Sequence, residues 1–391
     1  MIRALGKSLQ VAALTVSITR GVAAQGTTNV GTIPGAGASA GAGSYFESYT
    51  FSDPVAAGLK RVSLLTVPFV VEFQPVRWAR FGIRSAFASG VVDRADGTQS
   101  KISGLTDTAL ELSLPLVQDR VQVAAALMLP FGKATYTSEE AQVAGIIAAD
   151  LLPFALSHWG SGGSLDVSTQ ATGTLGALNV GARVGYQLGR EFELLEQGLF
   201  SYRPGGQLYA AIAADGDVGE GRVAAQVTMY TFGDDQRNSR NLYRTGNRIQ
   251  GLLTYSMPAG RTGRLQTYVS ALRREHGTFA DGSLDTPAQT MLLVGGGLRQ
   301  PFQYGVFIPL VDVRLVSSSD GLGQGYIGDV GMTAELPVFG GSATLRPTLR
   351  ARFGTLKVRA GVESGITGFD VGAGFDLAGR DRSPLSICCS V

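Results

Sequence analysis

Hydrophobic and polar residues alternate one by one over most of this chain. Phe369, Val371, Ala373, Phe375 and Leu377 fall on one side of an extended strand, and Asp370, Gly372, Gly374 and Asp376 on the other. Successive side chains of a strand point to opposite faces, so the stretch has one apolar and one polar face. The same dyad runs through Leu65 to Phe73, Leu110 to Leu114, Val121 to Leu129, Leu178 to Leu188 and Val330 to Leu336. Met291 to Leu298 and Ile249 to Ser256 are apolar on both faces and carry less information. No apolar run reaches the roughly 20 residues of a membrane-spanning helix. Two-faced strands repeated along a whole chain predict an all-β fold, a transmembrane antiparallel up-and-down β-barrel of about 14–16 strands.

Connection lengths support this independently. Short connections are expected near Gln74–Val76, Val117–Asp119, Thr172–Leu175, Asp215–Glu220, Pro258–Gly263, Gln300–Gln303 and Pro337–Gly341. Long ones fall between them, near Asp93–Ser100, Phe131–Gly162, Arg190–Pro204, Gly233–Gly246, Glu275–Asp285 and Ser317–Gly325. Barrels of bacterial outer membranes alternate short periplasmic turns with longer outer loops. One parity break stands out. Leu345, Leu349, Ala351 and Phe353 are odd-numbered, whereas Leu356 and Val358 are even. A β-bulge at Gly354-Thr355 would restore the phase. That makes Ser342 to Val358 one strand and Ala360 to Gly368 an outer loop.

The longest loop contains the one expected helical segment. Ser138, Glu139 and Glu140 precede AQVAGIIAADLLPFAL, a capped start followed by an apolar face. Glu139, Glu140, Leu151, Leu152 and Phe154 are the residues that would form a constriction if this loop enters the lumen. The alternatives are a hydrophobic patch on the outer rim and a self-packed loop.

Composition narrows the class. Charged residues make up 16% of the 391, against about 25% in a typical soluble domain, and 54 are glycine. A net charge of +2 gives no reason to expect nucleic acid as a partner. Arg3 and Lys7, the apolar run Leu9 to Ile18 and the small residues Val22-Ala23-Ala24 read as a signal peptide over 1–24. A Gly/Ala-rich flexible leader is expected over 25–44, the barrel over 45–377 and a polar tail over 378–391. The adjacent Cys388 and Cys389 lie in that tail, poorly placed for a mutual disulfide.

Chemistry is sparse. The only histidines, His158 and His276, fall in separate predicted loops without a nucleophile at matching spacing. Loop carboxylates such as Asp93, Asp96, Asp234, Asp235, Asp281, Asp285 and Asp320 lack the compact spacing calcium requires. Gly295-Gly296-Gly297 opens no helix, so it is no phosphate loop. The expectation is therefore not an enzyme, with no catalytic residue, metal or cofactor. The polar strand faces offer more: Arg183, Asp312, Arg314, Arg346, Arg350 and Arg352 are the lumen-facing candidates. Arginine ladders favour anions in a pore. The favoured reading, however, is a plain solvated wall braced by Arg–Asp and Arg–Glu pairs.

Several stretches carry a family likeness. SGLTDTALELSLPL, DRVQVAAALMLPFGKA with its strand-end Pro-Phe-Gly-Lys, TSEEAQVAGIIAADLLPF followed by WGSGG, and ITGFDVGAGFDL together resemble outer-membrane transporters. The group is that of the long-chain fatty-acid transporter (FadL) and the aromatic-degradation barrels of the phenol MetA-pathway. The resemblance implies a monomer rather than a trimer, passing small hydrophobic compounds, and transfers no ligand residue. The expected function is a bacterial outer-membrane channel or transporter for small solutes by passive diffusion, with membrane lipid and solute as partners. The alternative is a non-transporting structural or surface-recognition barrel with a filled lumen.

Overall fold

The computed structural model describes residues 37–378, apart from 77, 118–119, 150–151, 157, 197–200, 285–286, 322 and 360. The expected signal peptide, Leu151 and the Cys388–Cys389 pair lie outside the described residues. The fold is a closed antiparallel barrel of 16 strands. In chain order these are β1 (Gly37–Phe51), β2 (Leu59–Val76), β3 (Ala79–Arg94), β4 in two segments (Gln99–Leu105 and Thr108–Leu116) and β5 (Val121–Leu129). There follow β6 (Ser164–Leu175), β7 (Leu178–Gly189), β8 (Gln207–Val218), β9 (Gly221–Phe232), β10 (Arg248–Ala259) and β11 (Gly263–Arg274). The chain finishes with β12 (Gln289–Phe302), β13 (Gly305–Ser318), β14 (Gly325–Val338), β15 (Ala343–Arg359) and β16 (Val362–Ala378). A short helix α1 (Pro54–Ala57) follows β1, and α2 (Ser138–Ala148) lies between β5 and β6.

Each strand pairs with its neighbours in sequence, and β16 closes onto β1 in register from Ser39 opposite Ala378 to Phe51 opposite Ile366. Closure leaves no edge with unpaired backbone groups, which is what lipid demands of a spanning sheet. Both ends of the described chain lie at the end of the barrel with tight turns, at 219–220, 260–262 and 303–304 among others. The opposite end carries the long connections 130–163, 190–206, 233–247 and 275–288.

The outward face is apolar. Phe69, Ile83, Leu127, Val184, Ile212, Met229, Leu253, Val294, Val313, Leu349 and Phe369 all point outward and remain exposed. Aromatic residues gather at the short-turn end of this face, with Trp78, Phe302, Tyr304 and Phe339 exposed and Phe339 edge-on to Phe375 at 6.2 Å. Tyr186 and Tyr326 face outward near the long-loop end. An apolar band edged by aromatics is the outer surface of a barrel that sits in a bilayer.

Three expectations need correction. β1 starts at Gly37, inside the expected leader 25–44. Its Gly, Ala and Ser side chains offer no hydropathy contrast, so alternation could not reveal it. Its backbone is nonetheless paired on both sides, with β2 and β16. The bulge at Gly354-Thr355 does not exist: Ile327–Gly354, Tyr326–Thr355 and Gly325–Leu356 pair without a slip. Leu356 points inward and is fully buried against the loop segment that enters the barrel. The face changed character there, not the phase. The irregularity falls instead at Lys357–Arg359, and β16 begins at Val362, so most of the expected loop 360–368 is strand.

Candidate functional site in the barrel interior

The long connection 130–163 folds into the lumen. Val143 and Ile147 of α2, with Leu152, Phe154 and Trp159, pack in one buried cluster with Tyr49, Val62, Leu64, Ala88, Ile102, Ile327, Leu356 and Ile366 of the wall. Those wall residues share the strand face of Glu47 and Arg352, opposite the outward band. Leu152 and Phe154 are therefore packed against the wall, Glu139 is exposed and Glu140 half-buried. The helix cap is Thr137, one residue before the Ser138 expected from sequence. Its Oγ1 accepts from Glu140 N, while the Glu140 carboxylate accepts from Thr137 N. The box needs a glutamate three positions after the cap, and only Thr137 satisfies that spacing. The helix stops at Ala148, short of the expected Leu156. Pro153 supplies no N–H and disfavours helical backbone at Leu152.

Both roots of this inward loop meet at Asp107, in the interruption between the two segments of β4. Its Oδ1 accepts from Gly132 N at 3.1 Å, and its Oδ2 from Ser161 N and Ser161 Oγ, each at 2.7 Å. A side chain at Gly132 would collide with the Trp159 carbonyl and the Asp107 backbone. Trp159 is fully buried and donates from Nε1 to the Ala88 carbonyl at 3.0 Å. The SGLTDT, Pro-Phe-Gly-Lys and WGSGG strings thus converge on one carboxylate. Sequence reasoning named all three and missed Asp107. The available signal was a Thr-Asp pair breaking an otherwise alternating strand.

The six arginine and aspartate candidates all lie on the inner face by register. Arg352 is the most enclosed. Its guanidinium lies 3.0 Å from Glu47, 3.1 Å from Asp329 and 3.6 Å from Asp370, and it donates to Tyr49 Oη. Arg350 lies 3.8 Å from Asp370. Arg346 pairs with Asp376 at 2.7 Å and lies 4.0 Å from Glu335, which Arg299 holds bidentately at 3.0 and 2.6 Å. Asp312 sits directly opposite Asp329 in register and accepts from Tyr268 Oη at 3.2 Å. Arg314 is buried on the same face. Glu47 also accepts from Ala155 N at 2.8 Å, so one carboxylate joins the loop, the first strand and the penultimate strand. Sequence reasoning did not single out Glu47, which follows the small-residue run that hid β1.

Arg183 occupies a different setting. It donates to Ser168 Oγ at 3.0 Å and Tyr209 Oη at 3.1 Å on the far arc, where Ala124, Gln170, Gly181, Ala213 and Gln226 leave the wall half-exposed. Near the long-loop end of that arc, Asp166, Gln187 and Gln207 stand directly opposite one another across β6, β7 and β8. Asp166 Oδ2, Gln187 Oε1 and both amide atoms of Gln207 have no protein partner. Each such atom costs about 1–3 kcal/mol if nothing solvates it. His158 lies on the inward loop, where burial holds its imidazole below its ordinary value, and His276 is exposed on the connection 275–288.

Among solved structures, a mutant of the Rhodopseudomonas blastica porin aligns over 87% of this chain and all of its own, at 13% identity and a TM-score of 0.40. Pseudomonas aeruginosa OccK5 (OpdH) aligns over 89% of this chain and 99% of its own, at 9% identity and a TM-score of 0.41. These scores are too low to carry an argument about function. No family model and no curated protein sequence matches the chain.

Proposed function

We propose that this protein is a passive channel for small solutes in a bacterial outer membrane, narrowed by the inward connection 130–163. One observation carries the reading. A closed 16-strand barrel has an apolar, aromatic-edged exterior and a polar, partly open interior. About eight strands suffice for side chains to fill a barrel, whereas barrels of about sixteen leave an aqueous channel. An even strand number, tight turns at one end and long loops at the other fit an outer-membrane barrel. The polar inner wall favours hydrophilic solutes over the hydrophobic ones that the sequence resemblance implies. Permeation needs no covalent step: ion-paired side chains hold the wall and the loop sets the bore.

A filled, non-conducting barrel is the second reading, favoured by the apolar cluster that the loop builds inside the wall. Planar-bilayer recording separates the two. The expected result is stepwise conductance that grows when residues 138–156 are replaced by a short Gly-Ser link. Silence in both proteins, once insertion is verified, would sink the channel reading.

A further inference from the structure

The outward side of the long-loop rim carries a recess that solute passage does not use. Tyr186 and Leu188, near the end of β7, face outward and are exposed. Beside them the connections fold into a small antiparallel sheet of five segments, Phe192–Glu193, Ser201–Arg203, Asp234–Arg237, Arg240–Arg244 and Thr278–Phe279. Phe192, Tyr202, Asp235, Tyr243 and Phe279 share one face by register, and its central residues are buried. Arg203, Gln236 and Asp234 line the recess together with Tyr186 and Leu188, over a floor of Pro204, Gly205 and Gly206. The glycine at 206 lets the Tyr186 phenol lie against the backbone, where a side chain would collide with it. Asp234 is taken up by Arg244 at 2.7 Å, while Arg203 is exposed. Arg203, Arg237, Arg240 and Arg244 on this sheet outnumber its two surface carboxylates, Asp234 and Glu193.

We infer that this recess holds the phosphate-bearing headgroup of an anionic lipid in the leaflet at the long-loop end. The inference rests on the membrane reading above. The surface is two-tiered in the way such a lipid is: Tyr186 and Leu188 continue the apolar band that meets acyl chains, and Arg203 stands at its polar margin. A guanidinium fork matches phosphate oxygens bidentately. The recess measures about 170 Å³, enough for a phosphate and a short polar appendage but below the ~300–1,000 Å³ of ordinary solute pockets. Free phosphate shares the head chemistry but would gain nothing from Tyr186 and Leu188.

The test uses the full protein in phosphatidylcholine nanodiscs, with and without dioleoylphosphatidic acid. Native mass spectrometry reads retained lipid, and thermal unfolding reads its effect. Phosphatidic acid is expected to stay bound and raise the wild-type midpoint. Retention should fall about tenfold in Arg203→Gln, the loss expected for one charge-assisted hydrogen-bonding group. Arg203→Lys, which keeps charge without the fork, should be intermediate and serves if the glutamine variant folds poorly. Arg61→Gln, on the outward face at another rim position, should bind as wild type. Equal retention by wild type, Arg203→Gln and Arg203→Lys would overturn the proposal. So would inorganic phosphate producing the same thermal shift at the same concentration. A wild-type chain that fails to enter nanodiscs would instead defeat the membrane reading.

Discussion

Two arcs of the same inner wall solve different problems. From β12 through β16 to β1, the wall carries Arg299, Arg346, Arg350 and Arg352 against Glu335, Asp376, Asp370, Asp329 and Glu47. From β5 to β9, it carries mostly alanine, glycine, serine, threonine and glutamine, with few charges: Arg183 donates to Ser168 and Tyr209, and Arg222 pairs with Asp215 near the short turns. The charged arc is the one that closes the barrel, and its upper part is covered by the inward loop. Interactions that would be weak in water are strengthened there by burial, and cost more if left incomplete. The neutral arc has small side chains and room for water. One wall provides stability and the other provides bore.

The largest expected effect breaks the charged arc. Arg352→Met removes the guanidinium that, among the described residues, contacts Glu47 and Asp329 together, leaving buried carboxylates uncompensated. The cost should be about 3–5 kcal/mol, read as a shift in the urea midpoint of the folded barrel in detergent. Arg183→Gln on the neutral arc should move that midpoint by less than about 1 kcal/mol. Similar costs for the two would dissolve the distinction. Next comes the face both arcs turn to lipid. Leu349→Arg, mid-strand in β15, should cost about 2–4 kcal/mol in bilayers, and unchanged stability would refute the inside–outside register.

The clasp is expected to matter less for global folding and more for the bore. Asp107→Ala leaves two backbone donors and a hydroxyl without their acceptor, at about 1–3 kcal/mol for each donor left unsatisfied and less where water enters. Protease should then cut between residues 138 and 156, and single-channel current should become noisy. Intact protection would deny Asp107 its role. The smallest effect is local and pH-dependent. Burial pushes the Asp235 carboxyl up to about 6, while Tyr202 Oη and Gly205 N donate to it. A carboxyl raised in the folded state adds stability that is complete below its unfolded value near 3.8 and fades as pH climbs through about 6. Hydrogen exchange of residues 201–206 and 234–244, corrected for intrinsic rates, should therefore slow from pH 7.5 to pH 4.5. Asp235→Asn should flatten that response.

Alternation was enough to reveal the barrel because nearly every strand contrasts an apolar face with a polar one. It failed where contrast vanished. The Gly37 to Gly43 run looked like a linker because its side chains are all small, although Ser39 to Ala42 pair with strands on both sides. At Leu356 the inward face turns apolar to receive a loop that lies elsewhere in sequence, and that mimicked a phase slip. The interior arginines were legible as a shared face, but their partners were not. Which carboxylate meets which guanidinium depends on the register between neighbouring strands, and no single-strand pattern encodes it. Asp107 was hidden for the same reason, since its donors come from loop roots 25 and 54 residues away.

Glu47 has a consequence for the order of assembly. It lies on the first strand, yet its guanidinium partner is 305 residues downstream. Contacts of such separation form late, after the loop-closure entropy of everything between them has been overcome. Glu47 also holds the inward connection at Ala155. The wall that Glu47, Arg352 and Asp370 form together does not exist until β16 has joined β1. A chain stalled before its last two strands would leave both the seam and this anchor of the loop incomplete, so the final bore is a property that only the completed circle acquires.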